Sequence, residues 1–144
     1  MKIKFKKMRE NAKAPFRASD GAAGYDLTAC EIESRMLVFV PQIVCKTGIA
    51  VEIPKGYVGL LFPRSSSASS HMRLANCVGV IDSDYRGEIS AVFDTILDKP
   101  FRSYKEGDRC CQLVITRCEE IQWELAEELS KTERGSNGYG STGA

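Results

Sequence analysis

Short apolar runs separated by polar turns follow one another along most of the chain. Ile3 and Phe5 alternate with lysines, and this period of two predicts a first β-strand. Further strands are predicted at residues 22–29, 36–40, 43–46, 48–53, 57–62, 77–81, 88–97, 101–104 and 109–116. Strands at such short spacing, with Pro and Gly between them, are typical of a β-sandwich or β-barrel. Because no long stretch repeats apolar residues at helical spacing, we expect an all-β sandwich or barrel with at most one short helix.

The segment 76–88, NCVGVIDSDYRGE, places a polar turn between two of these runs. The runs predict a hairpin with Asp82 and Tyr85 at its tip, where a side chain is firmly held and also exposed to a ligand. A carboxylate in that position is a candidate catalytic group. The alternative is that Asp82 and Asp84 only form the turn, since Asp and Gly favour turns for local backbone reasons.

Two other polar stretches interrupt the strands. Gly24 would allow a close approach by a ligand or another backbone, and Asp26 is an acid in the middle of a strand, where it needs a reason. Residues 63–70, PRSSSASS, combine a guanidinium, hydroxyls and backbone N–H groups, which together suit a phosphate. A flexible linker is the alternative for residues 63–70, because Ser-rich segments are common in linkers.

The C-terminal segment from Ser130, SKTERGSNGYGSTGA, has too few apolar residues to pack into a core. We therefore predict a β-domain at residues 1–130 and a flexible C-terminal lid of the same domain at residues 131–144. An aromatic ring between glycines could stack on a flat ligand while the arginine and hydroxyls close over phosphates. An isolated disordered tail is the alternative.

Length and charge narrow the classes of protein. At 144 residues and 15.9 kDa, the chain fits one domain that can bury a core without metal or disulfide staples. A net charge of +1 and a pI near 7.5 give no field that attracts nucleic acid or a membrane surface, so neither is expected as a partner. The longest apolar runs are also too short to span a bilayer.

The cysteines and the single histidine limit the chemistry further. The six cysteines lack C-x-x-C spacing, and neighbouring Cys110 and Cys111 should point to opposite faces of a strand. The residues after Met1 are charged, so no secretory leader is expected, and we predict buried or half-buried free thiols in a reducing compartment. The cytoplasm is the expected compartment, and a nuclear location or a viral or phage origin stays open as an alternative. One histidine, His71, cannot build a two-histidine zinc site within one chain.

Five polar islands, in this order, resemble the homotrimeric deoxyuridine triphosphatase (dUTPase) family. They are AGYDL at 23–27, PRSS at 63–66, the segment 76–87 containing GVIDSDYRG, GDR with Gln112 at 107–112, and RGSNGYGSTG at 134–143. The resemblance implies a jelly-roll-like β-barrel or sandwich of the β-clip type and the hydrolysis of dUTP to dUMP and pyrophosphate. It also implies Mg²⁺ as the cofactor and a homotrimer with shared active sites. Such an enzyme keeps uracil out of DNA and supplies dUMP for dTMP synthesis.

The resemblance further implies roles for single residues. Asp82 looks like the carboxylate that activates the attacking water, and Asp26 like a residue that holds magnesium-bound waters. Tyr85 looks like a ring packed under the deoxyribose, which leaves no room for a 2′-hydroxyl. The implied base and sugar contacts are Asn76, Gly79, Val80, Tyr85 and Tyr139. The implied phosphate contacts are Arg64, Ser65, Ser66, Gln112, Arg134, Gly138, Ser141 and Thr142.

Three positions depart from the family pattern, and two rival functions stay open. Ser66 and Cys111 stand where glycine and alanine are usual, and Tyr139 replaces phenylalanine. A side chain at Ser66 could alter the approach of the backbone to the phosphates. The first rival is a dCTP deaminase of the same fold, for which Glu88 is the nearest candidate acid or base. The second is a non-catalytic trimer that has kept the fold.

Overall fold

The computed structural model describes residues 1–96 and 102–138, and within them the chain is almost entirely β-structure. The one helical element in these residues is a 3₁₀ helix at Ser65–Ser69. The strands are β1 Lys4–Lys7, β2 Tyr25–Thr28, β3 Glu31–Leu37, β4 Val40–Glu52, β5 Tyr57–Pro63, β6 Met72–Leu74, β7 Gly79–Ile81, β8 Ile89–Thr95 and β9 Arg109–Arg117. The predicted all-β class is confirmed.

Two antiparallel sheets enclose the core. The first sheet has the order β1-β4-β8-β6, with β3 also pairing with β4, and the second has the order β2-β9-β5-β7. Their inner faces bury a continuous cluster of apolar side chains, among them Leu27, Ile49, Phe93 and Leu113. Burial of such side chains provides most of the driving force for folding. Among the residues that the structure describes, no helix is long and apolar enough to cross a membrane.

Strand β4 corrects the prediction of three separate strands between residues 36 and 53. It is one strand of 13 residues, and the expected turn at Thr47–Gly48 is instead a shift of register between β4 and β8. Gly48 has a φ of 65°, a left-handed conformation that glycine adopts without steric cost. Two residues that look like a turn in sequence therefore form a bulge inside a continuous strand.

The predicted strand at 36–40 is wrong because the chain reverses there. Leu37 ends β3, Val40 begins β4, and Val38 between them has a φ of 56°. The apolar run thus forms an exposed hairpin tip. Strand β3 is rich in polar residues, and apolar periodicity does not reveal a strand of that kind.

The predicted hairpin around Asp82 is also wrong. Strand β7 pairs with β5 in the second sheet, whereas β8 pairs with β4 and β6 in the first. Residues 82–88 therefore form a connector that crosses from one sheet to the other. Two β-like runs joined by a turn have the same sequence pattern in both arrangements. Of the strand predicted at 101–104, residue 101 lies outside the described residues and 102–104 are not in a strand.

The cysteines are free thiols, as predicted, but they are not all buried. Cys30, Cys45, Cys110 and Cys111 are buried, while Cys77 and Cys118 are exposed. Cys110 and Cys111 do not point to opposite faces, since their Sγ atoms lie 3.7 Å apart. The register between β2 and β9 shifts here and leaves Cys110 without an opposite residue, and a bulge of this kind re-aims side chains.

We predict that Phe93→Ala lowers the free energy of unfolding by about 3–5 kcal/mol, since Phe93 is fully buried and packs on Tyr104 with ring centroids 4.9 Å apart. The matched control is Phe39→Ala at the hairpin tip, where the side chain is 85% exposed and the change should stay within about 0.5 kcal/mol. Urea denaturation of both variants at one protein concentration measures the difference. Equal losses would contradict the described core.

Candidate active site

A cluster of arginines around Asp26 lies at the edge formed by β2, β9 and the end of β5. Asp26 Oδ1 accepts a hydrogen bond from Arg64 Nε at 3.0 Å, and Asp26 Oδ2 accepts one from Arg109 Nη1 at 2.9 Å. Arg64 Nη1 also donates to the backbone oxygen of Arg109 at 3.2 Å. The carboxylate of Asp26 therefore holds two guanidinium groups side by side. The sequence alone did not explain an acid in the middle of a strand. In the structure, Asp26 orients the two guanidinium groups.

Gln112 joins the same edge. It lies opposite Asp26 in the pairing of β2 with β9, and its Nε2 donates to the backbone oxygen of Pro63 at 3.0 Å. Gly24 leaves room for this side chain, because a Cβ at Gly24 would lie 2.9 Å from Gln112 Oε1. The close approach expected at Gly24 is thus made by a neighbouring side chain.

A cleft of about 360 Å³ opens beside this edge. Three guanidinium groups and several hydroxyls surround the cleft, and such groups bind phosphate oxygens. Tyr104 lines the cleft as well, and burial raises the pKa of its hydroxyl to about 12, so the hydroxyl keeps its proton at neutral pH. The cleft is lined by Arg64, Ser66, Ser69, Ser70, Arg102, Ser103, Tyr104, Gly107, Asp108 and Arg109.

The serine run forms a short 3₁₀ helix directly after Arg64. The hydroxyl of Ser67 donates to Arg64 O at 2.7 Å and that of Ser70 donates to Ser67 O at 2.7 Å, so both stabilise the turn itself. Ser65 and Ser66 are exposed, and Ser66 faces the cleft. Residue 66 is not among the non-glycine residues with positive φ, so serine fits this backbone without strain.

The second group of predicted site residues lies on β7 and the connector. Asp82 is exposed directly after β7, and the backbone N–H of Tyr85 donates to Asp82 O at 3.2 Å, which closes a tight turn. The ring of Tyr85 folds back on Gly87, where a Cβ would lie 2.3 Å from the tyrosine hydroxyl oxygen. That hydroxyl donates to Glu88 O at 3.0 Å.

A second cleft of about 160 Å³ adjoins this turn. It is lined by Val80, Ile81, Asp82, Tyr85, Glu88, Ile89 and Ser90. At its upstream side, Gly79 packs so closely on Leu61 that a Cβ would lie 3.0 Å from Leu61 Cβ, and Asn76 Nδ2 would be 3.6 Å away. Cys77, between them, has a φ of 59°. A strained turn beside a cleft is a common feature of ligand sites.

The two groups lie far apart within one chain. Ile81 pairs with Gly59 of β5, so Asp82 is level with Val58, whereas Arg64 follows the other end of the same strand. At about 3.3 Å per residue, the six positions from Val58 to Arg64 separate them by roughly 20 Å. The two clefts share no lining residue among those that the structure describes. One chain therefore presents two partial sites.

The predicted tail residues fall partly outside the described chain. Tyr139, Ser141 and Thr142 lie beyond it, and the exposed Gly138 is its last residue. Arg134 contacts its own tail, since Arg134 Nε donates to Asn137 O at 3.0 Å. The predicted roles of the tail residues therefore stay predictions.

Sequence reasoning missed two arginines of the first cleft. Arg109 lies within the GDR motif, three residues before the selected Gln112, and its positive charge in that motif was the available signal; its contact with Asp26 is long-range. Arg109 also lies over the ring of Phe16, with its guanidinium carbon 5.8 Å from the ring centroid. Arg102 stands outside every motif, and only the fold brings it to the cleft.

Two antiparallel sheets with an arginine-lined edge and a separate acidic connector place the chain among β-sandwich proteins, with a surface that suits a phosphorylated ligand. A family model described as dUTPase matches residues 10–143. The chain therefore belongs to the dUTPase family, and this confirms the resemblance and the assignment as a dUTP diphosphatase.

Individual relatives agree with this assignment. The chain is 39% identical over 144 residues to deoxyuridine 5′-triphosphate nucleotidohydrolase from Hydrogenobaculum sp. (strain Y04AAS1), with 99% of both chains covered. It superposes on the dUTPase of Staphylococcus bacteriophage 80alpha with dUpNHpp at a TM-score of 0.83, 30% identity and 99% coverage of both chains. A mutant dUTPase of phage phi11 of S. aureus, solved for the coordination of a structural Mg(II) ion, matches at a TM-score of 0.73 and 28% identity, with 89% of this chain and 98% of the phage chain covered.

We predict that Asp26→Asn lowers the free energy of unfolding by about 2 kcal/mol, because it removes the charge that holds two partly buried guanidinium groups. Asp20→Asn, in an exposed loop, is the control and should change stability by less than about 0.5 kcal/mol. Urea denaturation measures both. An Asp26→Asn variant as stable as the control would contradict the structural role of this carboxylate.

Proposed function

We propose that the protein hydrolyses dUTP through a water molecule activated by Asp82, which attacks the α-phosphorus. The proton of the water passes to the carboxylate, and pyrophosphate leaves on the opposite side, so that dUMP remains. The observation that carries this proposal is the exposed Asp82 carboxylate at a cleft that Tyr85 also lines. A carboxylate held on a short turn after a strand keeps a defined position for this step.

The arginine cluster is the proposed phosphate site. Arg64 supplies positive charge, Gln112 supplies an amide, and Ser65 and Ser66 present exposed hydroxyls. Arg64 is held by Asp26 before the ligand arrives, so little conformational freedom is lost on binding. Fixed donors aimed at phosphate oxygens stabilise the charge that builds up during transfer.

The β7 edge and the connector are the proposed base and sugar site. Asn76 and the backbone at Gly79 and Val80 would read the edge of uracil, and backbone groups of fixed order discriminate between bases. The ring of Tyr85 would lie under the deoxyribose and leave no space for a 2′-hydroxyl.

A homotrimer with shared active sites resolves the separation between the two groups. Both Asp82 and Arg64 must reach the same triphosphate. Within one chain, however, their backbone positions are separated by roughly 20 Å along the direction of β5. A second copy can bring its Arg64 edge to the Asp82 connector of the first. The segment after β9 supports association: Ile121, Trp123 and Leu125 alternate with polar residues and are exposed in the single chain. Large exposed apolar side chains in such a row mark interaction surfaces.

The residues at the phosphate edge fit a magnesium ion carried by the substrate. Within residues 1–96 and 102–138, no group of three acidic, histidine or cysteine side chains could hold the metal directly. Each Asp26 oxygen accepts one guanidinium N–H and has a further lone pair that can accept from a metal-bound water. When bound, Mg²⁺ would neutralise phosphate charge and keep most of its waters.

The C-terminal segment 131–144 is proposed to close over the bound nucleotide as a lid. Tyr139 would stack on uracil, while Arg134, Gly138, Ser141 and Thr142 would surround the terminal phosphate. The described part of the lid is exposed throughout, so these residues are accessible to a ligand. Closure of a flexible segment excludes water and completes a site.

The deaminase alternative is weakened by the contacts of Glu88. Its carboxylate accepts hydrogen bonds from Arg9 Nη2 at 3.2 Å and from Gly48 N at 2.7 Å. Burial alone would raise the pKa of Glu88, but these donors outweigh burial and hold the pKa below its ordinary value. A carboxylate kept ionised and occupied in this way is a poor proton donor for deamination.

We predict that Asp82→Asn leaves dUTP binding nearly intact and lowers kcat by about 10²-fold or more, because the base that activates water is lost. Asp84→Asn, two residues away in the same exposed turn, is the matched control and should retain most of the activity. Release of pyrophosphate gives kcat, and calorimetry gives binding. An Asp82→Asn variant with unchanged kcat would refute the assigned role.

A complementation experiment tests the sharing of sites between copies. Asp82→Asn and Arg64→Gln chains, each inactive alone, are unfolded together, refolded and assayed. If a site takes its aspartate and its arginine from different chains, an equimolar mixture should regain about a quarter of the wild-type activity, since one pairing in four restores both groups. Assembled proteins mixed without unfolding are the control. No recovery in properly refolded mixtures would contradict sharing.

A further inference from the structure

The bulge in β4 is hydrogen-bonded to the downstream end of the connector. Register shifts between Lys46 and Ile49, which frees the polar groups of Thr47 and Gly48 from the ladder with β8. Thr47 Oγ1 donates to Ile89 O at 2.6 Å, and Gly48 N donates to Glu88 Oε1 at 2.7 Å. Glu88 at the end of the connector and Ile89 at the start of β8 are therefore fixed by two successive residues of the bulge.

Arg9, in the N-terminal segment, also contacts Glu88. Arg9 Nε donates to Glu88 Oε1 at 3.3 Å and Arg9 Nη2 donates to Glu88 Oε2 at 3.2 Å, a two-point contact between guanidinium and carboxylate. Arg9 also forms an ion pair with Glu31 of β3. The side chain of Glu88 is 19% exposed, so the pair is partly shielded from water. The hydrogen bond with Glu88 raises the pKa of Arg9, which agrees with a charged pair.

Glu88 is also the residue whose backbone oxygen accepts the hydrogen bond from the Tyr85 hydroxyl. Tyr85 Oη donates to the backbone oxygen of Glu88, and its ring lies against Gly87, so the ring position depends on where the backbone at 87–88 sits. The side chain of Glu88 sets that position through Arg9 and Gly48. A chain of direct contacts thus leads from the N-terminal segment to the tyrosine ring.

We propose that Arg9 and Glu88 are positioning residues for sugar selection. Their ion pair, together with the contact of Glu88 with the β4 bulge, fixes the position of the Tyr85 ring and so sets the preference for dUTP over UTP. The inference rests on the proposed role of Tyr85 under the deoxyribose. Neither Arg9 nor the carboxylate of Glu88 contacts substrate in this account. Exclusion of a 2′-hydroxyl depends on a ring held within fractions of an ångström, and a displacement of about 1 Å far from the chemistry can change rates greatly.

The test compares kcat/KM for dUTP and for UTP in five variants. Arg9→Met removes the guanidinium, and Glu88→Gln keeps an acceptor for Gly48 N but loses the charge. Both should lower the dUTP-to-UTP ratio of kcat/KM about tenfold, mainly through a higher kcat/KM for UTP, because a displaced ring leaves room for the 2′-hydroxyl. Arg9→Lys, which restores a positive charge, should recover part of the ratio. The matched control, Glu33→Gln, removes an acid that pairs with Lys46 in the same cluster and should keep the wild-type ratio.

The dUTP-to-UTP ratio of kcat/KM distinguishes a positioning role of Arg9 and Glu88 from a simple loss of folded protein. Partial unfolding would lower both rates equally and leave the ratio unchanged, so an unchanged ratio in Arg9→Met and Glu88→Gln overturns the inference. Tyr85→Ala tests the proposed role of Tyr85 itself. It should lower the dUTP-to-UTP ratio of kcat/KM more strongly than Arg9→Met or Glu88→Gln does. If Tyr85→Ala keeps the wild-type ratio, the proposed role of Tyr85 fails, and the inference fails with it. If only Tyr85→Ala loses the ratio, the inference alone fails.

Discussion

The length of one strand, β5, determines how this protein can work. Its seven residues separate the level of the Asp82 connector from the Arg64 edge, and an extended strand cannot shorten to bring them together. Pairing with β7 on one side and β9 on the other fixes both groups to this strand. In the proposed mechanism, the Asp82 carboxylate and the Arg64 guanidinium act on the same triphosphate. A single chain therefore holds two partial sites, and this geometry favours an assembly in which copies complete each other.

Within each partial site, contacts made before any ligand binds already orient the side chains. Asp26 holds Arg64 and Arg109, and Gly24 leaves space for Gln112. The connector has its own support, because the β4 bulge and Arg9 fix the residue to which Tyr85 donates. Asp26 on β2 and Gly48 on β4 belong to strands, which hold groups more firmly than loops do.

The sequence predicted the class of fold and the polar islands that contain the candidate site residues, because strands and polar islands are local patterns. Asp82, Tyr85, Arg64 and Gln112 were selected from short motifs, and the structure groups them on two edges. What local patterns could not predict was pairing. The connector looked like a hairpin, and the β4 bulge looked like a turn, since the partners of each strand lie far away in the sequence. Arg102 and the contact of Arg9 with Glu88 were missed for the same reason: long-range packing creates them.

The most direct measurement is a crystal structure of the protein with an inert dUTP analogue. We expect Asp82 of one protomer and Arg64 of its partner both to lie within contact distance of one triphosphate, with the Asp82 carboxylate next to the innermost phosphorus. A complex in which one protomer supplies both residues, or in which that phosphorus lies away from Asp82, would contradict the shared site.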